Sequence, residues 1–236
     1  MSQLMDMVRL PNAFLGLAKG QFDGCQPLNL FGFNRAVGTS YETIWNNSSV
    51  YVYPSSALTM SVVSSSGSDT MNVLIQGLDA DYLEISDTIT LTGTDAVTTS
   101  ISFFRINSAV ILSGNNVGNI TISNGGTTYA YIEATSGLTQ GLIFTVPANK
   151  KLYLYRLDFN SATTTGSKYL TIRNVQRLPN GRILKVSEAT FAQSMISYDR
   201  QIPFKIDEKT DFQFEAKSSS STNHIAAFIE GVLAED

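Results

Sequence analysis

The sequence predicts an all-β protein, an antiparallel β-sandwich of jelly-roll type with an extended N-terminal arm. Three observations carry that expectation. From residue 50 onward, short runs of alternating apolar and polar residues recur at the roughly 8 to 12-residue spacing of sandwiches and barrels. Gly, Asn, Asp and Ser cluster between the runs, where turns need them. No long stretch has the 3.6-residue period of an amphipathic helix. A jelly roll is the expected topology because it accommodates many strands while limiting exposed edges.

The first 30 residues differ from the rest. Leu4, Met5, Met7, Val8, Leu10, Phe14, Leu15 and Leu17 are apolar without a sustained period. Pro11 and Gly16 interrupt any helix through the middle, and Gly20, Gly24 and Pro27 punctuate the next stretch. The expectation is an extended arm over residues 1–45 with at most one helical turn. It either covers its own domain or reaches a neighbouring subunit. Residues 46–236 are then the β-sandwich domain.

Within that domain the strand signals run in order. Residues 58–63 alternate and end in the loop 64–69. Residues 71–78 and 82–91 come next, then 101–106 and 109–112. Residues 119–123 and 128–132 flank Asn124-Gly125-Gly126, the turn chemistry of a tight hairpin. Residues 142–146 stop at Pro147. Residues 152–159 place Leu152, Leu154 and Arg156 on one face and Tyr153, Tyr155, Leu157 and Phe159 on the other. The aromatic face is the one expected to be buried. Residues 168–175 and 182–191 pair across 178–181, and 202–206, 211–217 and 225–233 complete the chain.

Composition narrows the function. Charged residues make up 15% of the chain and the net charge is −4, so a basic nucleic-acid-binding face is not expected. A single cysteine, Cys25, excludes an intrachain disulfide. The N-terminus lacks the pattern of a signal peptide. No apolar run reaches the length of a membrane span. Neither a nucleic acid nor a membrane is an expected partner.

Catalytic constellations are sparse. His224 is the one histidine and sits beside a Ser-rich loop, poorly placed for a Ser-His-Asp arrangement. Cys25 lies in the arm. No Cys/His cluster or phosphate-cradling glycine motif occurs, so no enzyme activity, metal or cofactor is expected. Asp79, Asp81, Glu84 and Asp87 form one acidic cluster. Its spacing lacks the glycine and terminal glutamate of a calcium loop, and a solvated turn is the simpler reading. Trp45, Tyr51, Tyr53 and Tyr129 have the chemistry to stack on sugar rings, yet such residues are also ordinary in sheets and interfaces.

One stretch goes beyond composition. Phe31-Gly32-Phe33-Asn34 and Thr39, Glu42-Thr43 and Trp45 precede Tyr51-Val52-Tyr53-Pro54 and a first strand ending in Ser68-Asp69-Thr70. The stretches 73–81, 89–94, 104–107, 117–122 and 144–150 and the closing Ile202-Pro203-Phe204 come after it in order. This succession resembles virion structural proteins of tailed bacteriophages, notably marine and cyanobacterial ones. The resemblance runs from about residue 19 through most of the chain. It implies a structural subunit of the virion, most simply a capsid decoration (cement) protein. The alternative is a neck, tail or fibre component with a receptor- or carbohydrate-binding role. It implies the major capsid protein or neck and tail proteins as partners, and a homo-oligomer with a trimer favoured. The expected inter-subunit contacts are Leu10, Phe14, Leu17, Phe31, Phe33, Tyr41 and Trp45.

Overall fold

The structure, a computed structural model, describes residues 13–161, 169–192, 195–220 and 222–235. It is all-β and antiparallel. A short helix α1 (Ala13–Ala18) precedes β1 (Cys25–Val37) and β2 (Glu42–Thr43). Then come β3 (Ser61–Ser64), β4 (Asn72–Leu78), β5 (Glu84–Thr90), β6 (Val97–Thr98), β7 (Arg105–Ile111), β8 (Ile120–Asn124) and β9 (Thr127–Ile132). The chain closes with β10 (Ile143–Thr145), β11 (Lys150–Ser161), β12 (Leu170–Arg177), β13 (Ile183–Phe191), β14 (Met195–Ile206), β15 (Asp211–Ser218) and β16 (Asn223–Glu235).

These strands form four sheets around two separate cores. One sheet has the order β1-β16-β11-β14, and a second has β10-β15-β12-β13 with β2 also on β15. The two share a core that includes Leu154, Phe159, Ile225 and Ile229 from the first sheet and Leu170, Ile172, Phe212 and Phe214 from the second. Phe159 and Phe214 meet across it at 5.3 Å between ring centroids. The other pair of sheets, β6-β3-β8-β9 and β5-β4-β7, encloses Met60, Val62, Ile75, Phe103, Ile120, Ile122 and Ile132. Residues 58–132 therefore pack as a module of their own between two stretches of the first.

The insertion leaves and returns at one place. β2 and β10 both pair with β15, through Thr43↔Glu215 and Ile143↔Gln213. Trp45 and Gly141 bridge each other directly. The chain thus departs beside Trp45 and comes back beside Gly141 on the same edge.

Residues 25–45, assigned by sequence to an extended arm, are built into this body. β1 pairs with β16 along its length, from Cys25↔Ala234 to Asn34↔Ile225. Val37 and Ile44 are fully buried in the first core. β1 lies at the edge of its sheet, the place that tolerates Pro27. The expected single helical turn is present as α1, while residues 1–12 lie outside the described residues.

Where sequence alternation survives, it is right. β8 and β9 turn through Gly125 and Gly126, both with positive φ (56° and 83°), as the favoured hairpin turn requires. In β11 the alternation fails. The expected face is the inward one only beyond Tyr155, where Phe159 is buried and Leu157 packs on the core; before it Leu152 and Leu154 are buried and Tyr153 and Tyr155 half-buried. The cause is a bulge. Leu154 pairs with Gly231 and Arg156 with Glu230, so Tyr155 is an extra residue. One extra residue exchanges the faces of everything beyond it.

A second bulge lies where β4 meets β7, between Gln76 and Gly77. A Cβ at residue 77 would sit 2.1 Å from the carbonyl oxygen of Arg105, so only glycine allows the close approach.

That approach delivers Arg105 to the first module. Its Nε and Nη2 donate to the two carboxylate oxygens of Asp211 at 2.7 and 2.9 Å. Its Nη1 donates to the carbonyl of Pro54 at 2.9 Å, and Thr145 Oγ1 donates to Asp211 at 2.8 Å. Arg105 and Asp211 are 5% and 2% exposed. A bidentate pair with its remaining groups satisfied is the geometry that makes a buried charge tolerable. Arg105→Met strands the Asp211 carboxylate and is expected to lower stability by about 3–5 kcal/mol. Urea unfolding measures this, and Arg105→Met with Asp211→Leu should recover part of the loss. A single variant within about 1 kcal/mol of wild type would refute the role of the pair.

Candidate functional site

The expected contact residues divide by what the fold does with them. Leu10 lies outside the described residues. Leu17 is buried, and Trp45 is 4% exposed. The Trp45 indole donates to the Ser49 carbonyl at 2.8 Å and meets Tyr51 edge-on. Tyr51 in turn meets Tyr53, whose hydroxyl donates to the Phe212 carbonyl at 3.1 Å. This ladder runs inward to Arg105, whose guanidinium stands 5.1 Å from the Tyr53 ring. Burial raises the pKa of both tyrosines, so they remain neutral beside the ion pair. Trp45 and Tyr51 serve the interior and offer no free face to a sugar, while Tyr53 is half-buried.

Tyr41 is half-buried. The Arg173 guanidinium stacks on its ring at 3.6 Å, and its hydroxyl donates to Glu188 at 2.7 Å. Partial burial and the Glu188 carboxylate push its pKa up to about 12. Among the described members of the set Phe14 and Phe31 are open, 63% and 42% exposed. Phe14 packs on Tyr155 at 5.2 Å. Phe31 neighbours the half-buried Phe33 at 6.0 Å.

Phe31 and Phe33 line a groove of about 540 Å³ between the modules, together with Gln140, Asn160 and His224. Arg35 and Glu133 close one side as an ion pair. Tyr129 lies in a separate small crevice with Trp45 and Gly141.

Sequence reasoning missed the surface that carries the most exposed large apolar side chain among the described residues. β14 is the outer strand of its sheet. Between Asp199, paired with Arg156, and Phe204, paired with Leu154, residues 200–203 stand opposite Tyr155 alone. Ile202 in this bulge is 81% exposed. The signal is faint, since Ile202 reads as an ordinary strand residue until the register is known.

The acidic cluster is dispersed among separate partners. Asp79 caps its own turn by accepting from the amides of Asp81 and Leu83. Glu84 pairs with Lys150, and Asp87 accepts from Ser100. Among the described residues no three His, Cys, Asp or Glu side chains gather as a metal site. Cys25 and His224 lie at opposite ends of the β1–β16 ladder, since Cys25 pairs with Ala234 and the neighbour of His224, Asn223, pairs with Val37. No helix among the described residues is long and apolar enough to cross a membrane.

Asp69 anchors the tip of the inserted module. Fully buried, it accepts from Ser64 Oγ and from the amides of Val117 and Gly118 at 2.5, 2.8 and 2.9 Å. This holds the turn that presents the exposed Val117.

No sequence family matches the chain, and none of the curated proteins does. Solved structures of infectious bursal disease virus give weak similarity. The VP2 subviral particle covers 96% of this chain and 78% of its own, at 9% identity and a TM-score of 0.27. The Gx strain covers 90% and 70%, at 10% identity and 0.25. A mutant VP2 in T=1 particles covers 100% and 80%, at 10% identity and 0.21. This is a weak likeness to a viral capsid protein, and at such TM-scores it carries no argument.

The Asp69 carboxyl gives a pH test. Burial raises its pKa, but the three hydrogen bonds outweigh that and hold it below the usual carboxylate value. A folded pKa below the unfolded one gives stability that is complete above the unfolded value, near pH 4. That stability is lost as pH falls through the folded value. Asp69→Asn should therefore melt lower than wild type at pH 7, with the gap shrinking toward pH 3. Thermal melts across that range read it, and a gap independent of pH would count against the ionised carboxylate.

Proposed function

We propose that the chain is a structural subunit of a tailed-phage virion, acting as a capsid decoration protein without catalytic activity. The observation that carries this reading is the strand order. Taken along the chain, β1 and β10 to β16 are eight strands. They alternate between two sheets as first-eighth-third-sixth and second-seventh-fourth-fifth. We read this order as that of a jelly roll, an architecture that viral capsid domains use. On this reading residues 25–45 and 140–235 form the jelly roll, and the module within residues 58–132 is an insertion in its second strand position.

Fold alone does not fix function, so the surface must agree with it. Large apolar side chains stand open at Phe14, Phe31, Ile183, Met195 and Ile202, as subunit contacts require. The ordered succession of segments that resembles virion proteins points the same way. The major capsid protein, or neck and tail proteins, are the partners on this reading, and copies of the chain assemble with one another.

A second reading has one specific observation in its favour. The groove holding Phe31, Phe33, Gln140, Asn160 and His224 combines aromatic rings with planar polar side chains, and the jelly roll also serves lectins. In this case the protein is a tail or fibre component that binds host glycan.

The test is particle composition. Mass spectrometry of purified phage particles should find the chain at many copies per particle. Particles assembled without it should lose DNA at lower temperature. Its absence from intact particles would overturn the proposal. Glycan binding that vanishes in Phe31→Ala/Phe33→Ala, with particle stability unchanged, would favour the second reading.

A further inference from the structure

On the outer face of the β1-β16-β11-β14 sheet, a projection and a recess lie side by side. The projection is the β14 bulge, with Ile202 near its end. The recess, about 420 Å³, is lined by Phe14, Tyr155, Arg156, Asp199, Arg200 and Glu230. Its floor is apolar, since Phe14 lies against Tyr155. Its charges are of both signs. Arg156 is satisfied within the chain by Asp158 at 2.8 Å and Asp199 at 3.7 Å. Among the described residues Arg200 and Glu230 form no ion pair. The Arg200 Nε donates to the Ile202 carbonyl at 3.4 Å, and its guanidinium stands 5.9 Å from the Phe204 ring.

Hydrogen-bonded pairing along this edge is disfavoured. The bulge twists the strand out of line, and Pro203 within it has no N–H to give. Contact here must go through side chains.

We propose that this face binds a second copy of the chain in a twofold contact centred on the β14 bulge. An isologous interface needs one patch that complements itself. Here a projection adjoins a recess, and Arg200, which has no ion-pair contact among the described residues, adjoins Glu230, whose charge within the chain acts on Arg156 across the strand pair. A twofold axis between them seats Ile202 of each copy against Phe14 and Tyr155 of the other. The same operation brings Arg200 of one copy to Glu230 of the other. A foreign protein would have to supply a complementary recess, projection and pair of charges, all of which a second copy already carries. The inference rests on the reading that the chain assembles with its own kind, and supplies the surface.

Sedimentation velocity of the full chain over a concentration series tests it. Wild type should sediment at twice the chain mass. Ile202→Asp should shift to the monomer with its β-sheet circular dichroism unchanged, because the residue is exposed. Arg200→Glu and Glu230→Arg should each be monomeric alone. An equimolar mixture of the two should regain the dimer, since both cross-contacts then join opposite charges. A monomeric wild type, assembly indifferent to Ile202→Asp, or a mixture that stays monomeric would overturn the proposal. A trimer indifferent to all three substitutions would overturn this surface and leave the virion-subunit reading standing. The expected dimer in a protein missing from particles would do the reverse.

Discussion

The Arg105–Asp211 pair is the constraint on which the arrangement of the two modules depends. Each module has its own apolar core, and apolar burial alone does not fix how two such bodies sit together. A guanidinium and a carboxylate taken out of water do fix it, because their desolvation is tolerable only in near-ideal geometry. Gly77 lets β4 approach β7 closely, which sets Arg105. Thr145 and the Pro54 carbonyl satisfy the groups the pair leaves over. The Trp45-Tyr51-Tyr53 ladder then fills the space between the modules. Lesser contacts line the same seam, with Asn107 exchanging hydrogen bonds with Thr145 and Lys150 meeting Glu84.

The inserted module was largely legible in the sequence. Its strands are short and local, and the Asn124-Gly125-Gly126 turn gives one register directly. The first module was legible in its later strands but not in its frame. Pro27 and Gly32 hid β1, although Leu28 and Leu30 alternate there, because an edge strand tolerates the proline and the glycine admits the close approach of the Ile44 and Leu142 backbones. Its partner β16 lies about two hundred residues away, and no local pattern announces such a pairing. Bulges hid the rest. In β11 a single extra residue at Tyr155 reversed the buried face, and in β14 four residues opposite one concealed the exposure of Ile202.

The contact residues show the same limit. Leu17 and Trp45 are large and apolar, as interface anchors are, but their own chain covers them. Size and hydrophobicity identify side chains that leave water without saying whose atoms replace it. Arg200 and Glu230 draw no attention in sequence because each is an ordinary surface charge. They matter only because the strand order places β14 and β16 on either side of β11.

The pairing of β1 with β16 also has a consequence in time. During synthesis β1 leaves the ribosome well before its partner β16, so that sheet cannot close until the strand Asn223–Glu235 has emerged. Loop closure across such a separation makes folding slow. Residues 58–132 face no such delay, since their contacts are local and their core is self-contained. They can form on the ribosome while β1 waits unpaired, and β1 passes that interval as an exposed strand edge. In that interval β1 is open to mispairing with another nascent copy.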